Sequence, residues 1–307
     1  MARAGAARRA QPAGSPDDRG GRPADAAPGA RRHRPVDPGH AVPGPVVRTR
    51  RVGSGPVSTF KDHFSGHARN YATARPGYPP ALFDWIAGLV GQHALAWDAG
   101  CGNGQAALAL AERFEAVVAS DPSAEQIAQA PAHPRVDYRV EAAEDCSLPA
   151  SSVDVACVAQ ALHWFDLPRF FTTLLRVLKP GGVLVAWTYE TCRVDPAVDA
   201  VFDRLYRDRL GPWWPPERQL VESGYRDIDL PLQPLEPLPE LSIELDWTLT
   251  QFLEYLRSWS ASARCLRETG RDAVAEFAPA LAAAWGPPET RRCVAWPLAV
   301  RAGRRTA

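Results

Sequence analysis

Residues 96–105 read Ala-Trp-Asp98-Ala-Gly100-Cys-Gly102-Asn-Gly104-Gln, an apolar approach into Asp-x-Gly-x-Gly-x-Gly. Seventeen residues after Gly104 comes Asp121, at the end of a second apolar run over 116–120. No other feature constrains the fold as much. A strand must deliver the backbone to a sheet edge. Alternating glycines then let it turn tightly and lie against a ligand where a side chain would clash. An acid after the second strand is placed to accept both hydroxyls of a ribose. Together they form the footprint of a nucleoside cofactor held by an α/β sheet.

The spacing narrows the cofactor. Nicotinamide-binding turns carry Gly-x-Gly-x-x-Gly. Here Asp98 precedes the glycines and the spacing is Gly-x-Gly-x-Gly, which points to S-adenosylmethionine.

The surrounding pattern agrees with a doubly wound sheet. A helix is expected over 80–90, with Leu82, Trp85, Ile86, Leu89 and Val90 on one face. Strands are expected at 94–99, 116–120, 136–140, 153–159 and 183–187, with helices at 104–114 and 167–178 between them. Asp121-Pro-Ser123 opens another helix, with Ser123 as cap and Gln126 three residues on, as a capping box requires. Lys179-Pro-Gly-Gly182 ends the long helix. Helices alternating with short apolar strands mean right-handed βαβ units and a parallel sheet covered on both faces. After Tyr189 the pattern loosens. It gives a helix at 196–210, a Pro/Trp-rich stretch at 211–216, an extended 230–239, a strand at 241–247, helices at 249–259 and 271–285, and a last strand at 293–300.

Composition removes several classes. The 307 residues carry 35 Lys+Arg against 35 Asp+Glu, so a dedicated polyanion-binding surface is not expected. Only Lys61 and Lys179 are lysines, a bias that reads as GC-rich coding. Six cysteines (101, 146, 157, 192, 265, 293) show neither Cys-x-x-Cys nor a His cluster at ligand spacing, so reduced thiols and no metal are expected. No apolar run approaches a membrane span, which makes a cytoplasmic protein without membrane contact the expectation. Residues 1–55 carry eleven Arg, four Asp and almost no large apolar side chains. They are expected to be a disordered tail or an extension upstream of a later start, since such a segment cannot offset its ordering entropy. The folded domain is then expected over 56–307.

In the order of its motifs the chain resembles the class I S-adenosylmethionine-dependent methyltransferases, and within them the type 11, trans-aconitate methyltransferase-like group. The resemblance rests on Phe64-x6-Tyr71-x3-Arg75-Pro-Gly-Tyr-Pro79, the Asp98–Gln105 loop, Asp121-Pro-Ser, Ala143-Glu144, Ala159-Gln-Ala-Leu-His163-Trp-Phe165 and Arg176-Val-Leu-Lys-Pro-Gly-Gly182. Leu256-Arg-Ser-Trp-Ser260 and Trp296-Pro-Leu continue it. It implies a mostly parallel seven-stranded sheet, order 3-2-1-4-5-7-6, with the last strand antiparallel and helical lid insertions over 190–290.

The resemblance also assigns roles. Gly100, Gly102 and Gly104 turn under the methionine part of the cofactor, and Asp98 orders that loop and the amino group. Asp121 takes the ribose. Ala143 and Glu144 lie by the adenine, and Gln160 faces the cofactor. Tyr71 and Arg75 close over the methionine carboxylate. His163 lies where the methyl group leaves; it is either the base for a hydroxyl substrate or a structural histidine bonded to backbone. The structural role is preferred, because an acid substrate is ionised at neutral pH without help. Trp164, Trp187, Tyr189, Trp213 and Trp214 are candidate pocket walls, with plain packing as the competing role.

The implied function is methyl transfer to a carboxylate or hydroxyl of a small molecule, by a monomer or homodimer that does not act on nucleic acid. Two rivals stand beside it. A nicotinamide oxidoreductase is disfavoured by the glycine spacing. A non-catalytic cofactor-binding regulator is disfavoured by the intact Asp98 and Asp121.

Overall fold

The computed structural model describes residues 77–189 and 191–306. The expectations for residues 1–55, for Tyr71 and for Arg75 lie outside the described residues.

Helix α1 (Pro80–Gly88) begins with proline at its first position, where the missing N–H costs nothing, and buries Leu82, Phe83 and Ile86. Strand β1 (Leu95–Ala99) leads through the glycine loop into α2 (Gln105–Ala111). Strand β2 (Ala116–Asp121) leads into α3 (Ala124–Ala128), where the Ser123 hydroxyl accepts the Gln126 amide as its spacing requires. Strands β3 (Val136–Val140) and β4 (Val153–Ala159) follow. Helix α4 (Leu167–Val177) is capped by Asp166 and buries Phe170, Thr173, Leu174 and Val177.

Strand β5 runs from Leu178 to Tyr189, five residues earlier than the sequence pattern suggests. The Lys179–Gly182 segment is an irregularity within the strand, between the Val153–Leu178 and Val155–Val183 pairs, and Gly182 lets two backbones approach there. A Cβ there would lie 2.9 Å from the Lys179 carbonyl and 3.1 Å from the Val153 carbonyl.

Beyond β5 come α5 (Pro196–Asp203), α6 (Arg218–Glu222), β6 (Gln233–Pro234), β7 (Ser242–Trp247), α7 (Leu249–Arg257), α8 (Ser260–Thr269), α9 (Ala273–Trp285) and β8 (Arg292–Arg304). Helix α5 continues as a π-helical segment, Arg204–Arg209. Helices α6 and α8 are absent from the sequence reading. The first is five residues long and hidden behind prolines; the second has a polar surface over a narrow buried stripe of Ala261, Ser262 and Cys265.

The strand order is β3-β2-β1-β4-β5-β8-β6, with β7 pairing β8. The expected order is kept, and β8 is antiparallel to β5 as the resemblance implies. Eight strands replace seven because Gln233–Pro234 adds a two-residue pairing on Gly303–Arg304. Strand β8 is long enough for two jobs. Its first half pairs β7 at 292–297, and its second half pairs β5 at 298–304.

Alternation along the central strands builds two cores. Ala96, Val155, Cys157, Val183, Val185 and Trp187 face α1, α2, α5, α7 and α9. Trp97, Ala99, Ala156, Val158, Leu184 and Ala186 face α4 and the Val221–Ile228 segment. With both faces covered, the only ligand-sized openings a doubly wound sheet leaves are at the carboxyl ends of its strands.

Candidate active site

The glycine loop lies at that edge. Gly100, Gly102 and Gly104 have φ of 70°, 55° and 87°, the left-handed region that glycine enters without strain. At two of them the protein leaves no room for a side chain. A Cβ on Gly100 would lie 2.6 Å from Ala161 Cβ, and one on Gly104 would lie 2.4 Å from the Tyr138 hydroxyl. Gly102 is different: among the described residues only Gln126 Oε1 comes near, at 3.8 Å, which leaves its face open to close backbone approach by a ligand.

Strand β2 holds the loop in place. The Ser120 carbonyl accepts the Gly100 and Cys101 amides at 2.8 and 3.0 Å. Asp121 Oδ2 accepts the Gly102 amide at 2.9 Å, and its Oδ1 accepts the Ser123 amide at 2.9 Å. The acid expected to take a ribose is thus also the brace of the loop.

Asp98 is fully buried, and neither carboxylate oxygen has a hydrogen-bond partner among the described residues. Burial pushes its carboxyl from 3.8 up to about 7; the Ala107 amide at the start of α2 opposes this and the charge of Asp121 adds to it. The Tyr138 hydroxyl is a second buried polar group without a hydrogen-bond partner among the described residues. Burial pushes it up to about 12, and the Cys101 and Asp98 charges add to that. The sequence gives no sign of Tyr138, which acts only by covering Gly104 from β3.

These features fit S-adenosylmethionine. An unpaired buried carboxylate suits a cationic amino-acid end, the open face at Gly102 suits close backbone approach, and Asp121 stands at the strand end where a ribose is held.

The remaining sequence-derived candidates fall into three groups. Ala143 is buried, and the neighbouring acids are tied to α4. Glu144 Oε1 accepts the Asp166 amide at 2.8 Å, while Asp145 pairs with Arg169 at 2.7 Å. Gln160, with a positive φ of 56°, turns its side chain to β5. Its Oε1 accepts the Thr188 hydroxyl at 2.7 Å, and its Nε2 donates to the Tyr189 carbonyl at 3.4 Å. His163, in the turn after β4, bonds through Nδ1 to the Tyr225 hydroxyl at 2.9 Å, a side-chain contact to a residue 62 positions away.

The five aromatic candidates do not share one wall. Trp187 has zero exposure and sits in the core, edge-on to Tyr78 and Phe83 with centroids 5.4 and 6.0 Å away. Tyr189 is buried beside it. Trp164 packs against His163 with ring centroids 4.7 Å apart and the planes tilted by 47°. Trp213 is partly buried against the same core as Trp187. Trp214 lines a cavity of about 410 Å³.

That cavity is lined by Thr191, Arg193, Tyr206, Arg207, Trp214 and Arg218, among others. Thr191 follows β5, and Arg218 opens α6, which leads into Tyr225 and so to His163. Arg218 stacks over Trp214 at 4.9 Å and Tyr206 at 5.5 Å. It donates through Nε to the Tyr206 hydroxyl at 2.8 Å, which donates on to Glu222 at 2.6 Å. Sequence reading misses the arginines, because nothing in their spacing marks them among so many others.

Among the described residues no group of His, Cys, Asp and Glu is placed to hold a metal ion, and no helix is long and apolar enough to cross a membrane.

Known proteins carry the same design. A family model described as a methyltransferase domain matches residues 97–186, from β1 into β5. A Dictyostelium discoideum protein described as a methyltransferase is 33% identical over 230 residues, covering 74% of this chain and 87% of that protein. A Saccharomyces cerevisiae S-adenosylmethionine-dependent methyltransferase is 26% identical, covering 62% of this chain and 78% of its own. A solved structure of a type II methyltransferase from Anaeromyxobacter dehalogenans is 55% identical with a TM-score of 0.72, covering 76% of this chain and 98% of that one.

Proposed function

This chain belongs to the class I S-adenosylmethionine-dependent methyltransferases, and from that premise we propose that it methylates an oxygen, carboxylate or hydroxyl, of a small organic molecule held in the Arg218–Trp214 cavity. In this reading residues 190–290 supply the substrate lid of the domain. The observation that carries the reading is the cavity itself. Its volume of about 410 Å³ lies within the usual range of small-ligand sites. Arg193, Arg207 and Arg218 line it beside Tyr206 and Trp214, and the one lining carboxylate, Glu222, accepts the Tyr206 hydroxyl. That lining suits a planar acid: guanidinium binds carboxylate in a fork, and the aromatic walls take the carbon skeleton.

Bound S-adenosylmethionine supplies a methyl group that is already electrophilic on its sulfonium. The protein's part is to bind, align and dry the reactants, which supplies much of the barrier reduction in reactions of this kind. Asp121 holds the ribose, and the loop glycines turn under the methionine part. Asp98 answers the cationic end. The arginines orient the acceptor, and the Trp214 and Tyr206 rings keep water from it.

The purified protein with radiolabelled S-adenosylmethionine should methylate members of a panel of aromatic and unsaturated carboxylic acids and phenols. Arg218→Met should raise KM for those acceptors. Methylation confined to amines or nucleic acid, or cofactor binding with no turnover on any member of the panel, would remove this reading.

A further inference from the structure

The cavity carries charges of both signs. Among the described residues that line it, three are arginines and the one carboxylate is Glu222. They are engaged to different degrees. Arg193 pairs with Asp203 at 3.2 Å, and Arg218 lies over Trp214 with its Nε bound to the Tyr206 hydroxyl. Arg207, exposed on the π-helical segment, has no hydrogen bond or ion pair among the described residues. Glu222 uses one oxygen. Its Oε1 accepts the Tyr206 hydroxyl at 2.6 Å, and Oε2 has no hydrogen bond or ion pair among the described residues. A cation and a carboxylate oxygen with spare bonding capacity therefore line one cavity.

Their chemistry separates two tasks. A carboxylate gripped by guanidinium has its charge and lone pairs engaged, which makes it a good handle and a poor nucleophile. A hydroxyl has the opposite need. It becomes nucleophilic as its proton leaves, and a positioned carboxylate can take that proton. Tyr206 does not act as the base, because burial holds its phenol protonated. With Arg218 Nε donating to its oxygen, Tyr206 gives its own proton to Glu222 and so orients that carboxylate, as the third member of such an arrangement does.

The chain leaving Glu222 is tied to the cofactor edge. Tyr225, three residues on, meets His163 Nδ1 at 2.9 Å. Ala161, in the same turn as His163, lies 2.6 Å from where a Cβ on Gly100 would stand.

We propose that the acceptor is a hydroxy acid, held by its carboxylate at Arg207 beside Arg218 and methylated on its hydroxyl with Glu222 Oε2 as the base. The proposal rests on the oxygen-methylation reading and names the reacting oxygen. The hydroxyl oxygen bonds to the methyl carbon as its proton passes to Glu222. The carbon–sulfur bond breaks with its electron pair left on sulfur, which turns the sulfonium into a neutral thioether, and Glu222 then gives the proton to water. The product is an ether that keeps its free carboxylate.

The test uses the full chain with 4-hydroxycinnamate and 4-hydroxybenzoate, each beside its counterpart lacking the hydroxyl and its counterpart lacking the carboxyl. With radiolabelled S-adenosylmethionine a hydroxy acid should be turned over at least tenfold more efficiently than either counterpart. Its label should survive mild alkali, as an ether does and a methyl ester does not. Glu222→Gln keeps the shape and an acceptor for Tyr206. It should lower kcat for the hydroxy acid about 10²–10⁴-fold at nearly unchanged KM and melting temperature. Arg207→Gln should raise KM for the hydroxy acid roughly tenfold and leave the phenol unaffected. Calorimetry on the protein loaded with S-adenosylhomocysteine should show hydroxy-acid affinity lowered by Arg207→Gln and kept within a few-fold by Glu222→Gln.

An alkali-labile product, or equal turnover of the acid lacking a hydroxyl, overturns the choice of oxygen while leaving oxygen methylation standing. A Glu222→Gln kcat within a few-fold of wild type overturns the base. Phenol turned over as well as hydroxy acid overturns the handle. Turnover of none of these compounds overturns the oxygen reading and this proposal together.

Discussion

The Asp121 carboxylate accepts the Gly102 amide at 2.9 Å, joining the end of β2 to the middle of the glycine loop. The same carboxylate accepts the Ser123 amide, which starts α3. One side chain therefore fixes the loop and the following helix, and it does so at the carboxyl end of β2, where the proposed cofactor's ribose would lie. Asp121→Ala should weaken S-adenosylhomocysteine binding by calorimetry. It should also lower the stability of the cofactor-free protein by about 1–3 kcal/mol, the usual cost of leaving hydrogen-bonded groups unpaired. Loss of affinity at an unchanged melting temperature would show that the brace contributes nothing.

Asp98 makes the cofactor-free protein pH-sensitive. Its carboxyl stands at about 7 in the folded chain against 3.8 for an ordinary aspartate. A raised folded value means the folded state holds a proton the unfolded state has released. Stability is unaffected below about pH 4, falls between about 4 and 7, and carries the full loss above 7, on the order of 4 kcal/mol. Asp98→Asn should therefore gain stability over wild type at pH 8 and little at pH 4. Binding a cationic ligand end should favour the ionised form, so affinity should rise from pH 6 to 8 with proton release, seen as a buffer-dependent calorimetric enthalpy. A flat stability difference between pH 4 and 8 would refute the assignment.

How far such features were legible in the sequence depends on how local they are. The glycine turn and the Ser123 cap on the Gln126 amide follow from short spacing and are present as read, whereas the strand order comes from the family resemblance and is met with one added two-residue strand. Aromatic residues were less legible, since composition cannot separate a wall from a core. Trp187 is edge-on to Phe83 in the interior, whereas Trp214 stands at a cavity. Tyr225 left no trace at all. It acts on His163 across 62 residues, and only the folding of α6 against the turn after β4 brings them together. Tyr138 likewise meets Gly104 only through the pairing of β3 with β2.

Lys179 and Asp154 form an ion pair at 2.6 Å at the amino ends of β5 and β4, with the Asp154 side chain 5% exposed and that of Lys179 28% exposed. Asp154 also accepts the Leu95 amide at 2.8 Å, so it ties β1, β4 and β5 together. Lys179→Met should destabilise by about 2–3 kcal/mol, toward the low end for breaking a buried pair because the lysine is partly solvated. Denaturant unfolding checks this. Cofactor affinity should hold, since the pair lies at the opposite end of the strands from the glycine loop. A neutral outcome would mean that water replaces the ammonium without cost.

Arg218 offers the sharpest test of the cavity. Its guanidinium lies 4.9 Å from the Trp214 ring and 5.5 Å from the Tyr206 ring, and its Nε binds the Tyr206 hydroxyl. Lysine keeps the charge but loses the planar fork and the stacking, so Arg218→Lys is not conservative here. If the cavity binds an acid substrate equally in ground and transition states, Arg218→Lys should raise KM roughly tenfold with kcat nearly unchanged. Tyr206→Phe frees the guanidinium from one hydrogen bond while keeping the ring, and should move KM less. Stability should change little in either variant, because Trp214 and Tyr206 still pack on Trp259 at 5.5 and 5.7 Å. A fall in kcat with unchanged KM would instead place Arg218 at the reacting end, and unchanged values of both would place the substrate outside this cavity.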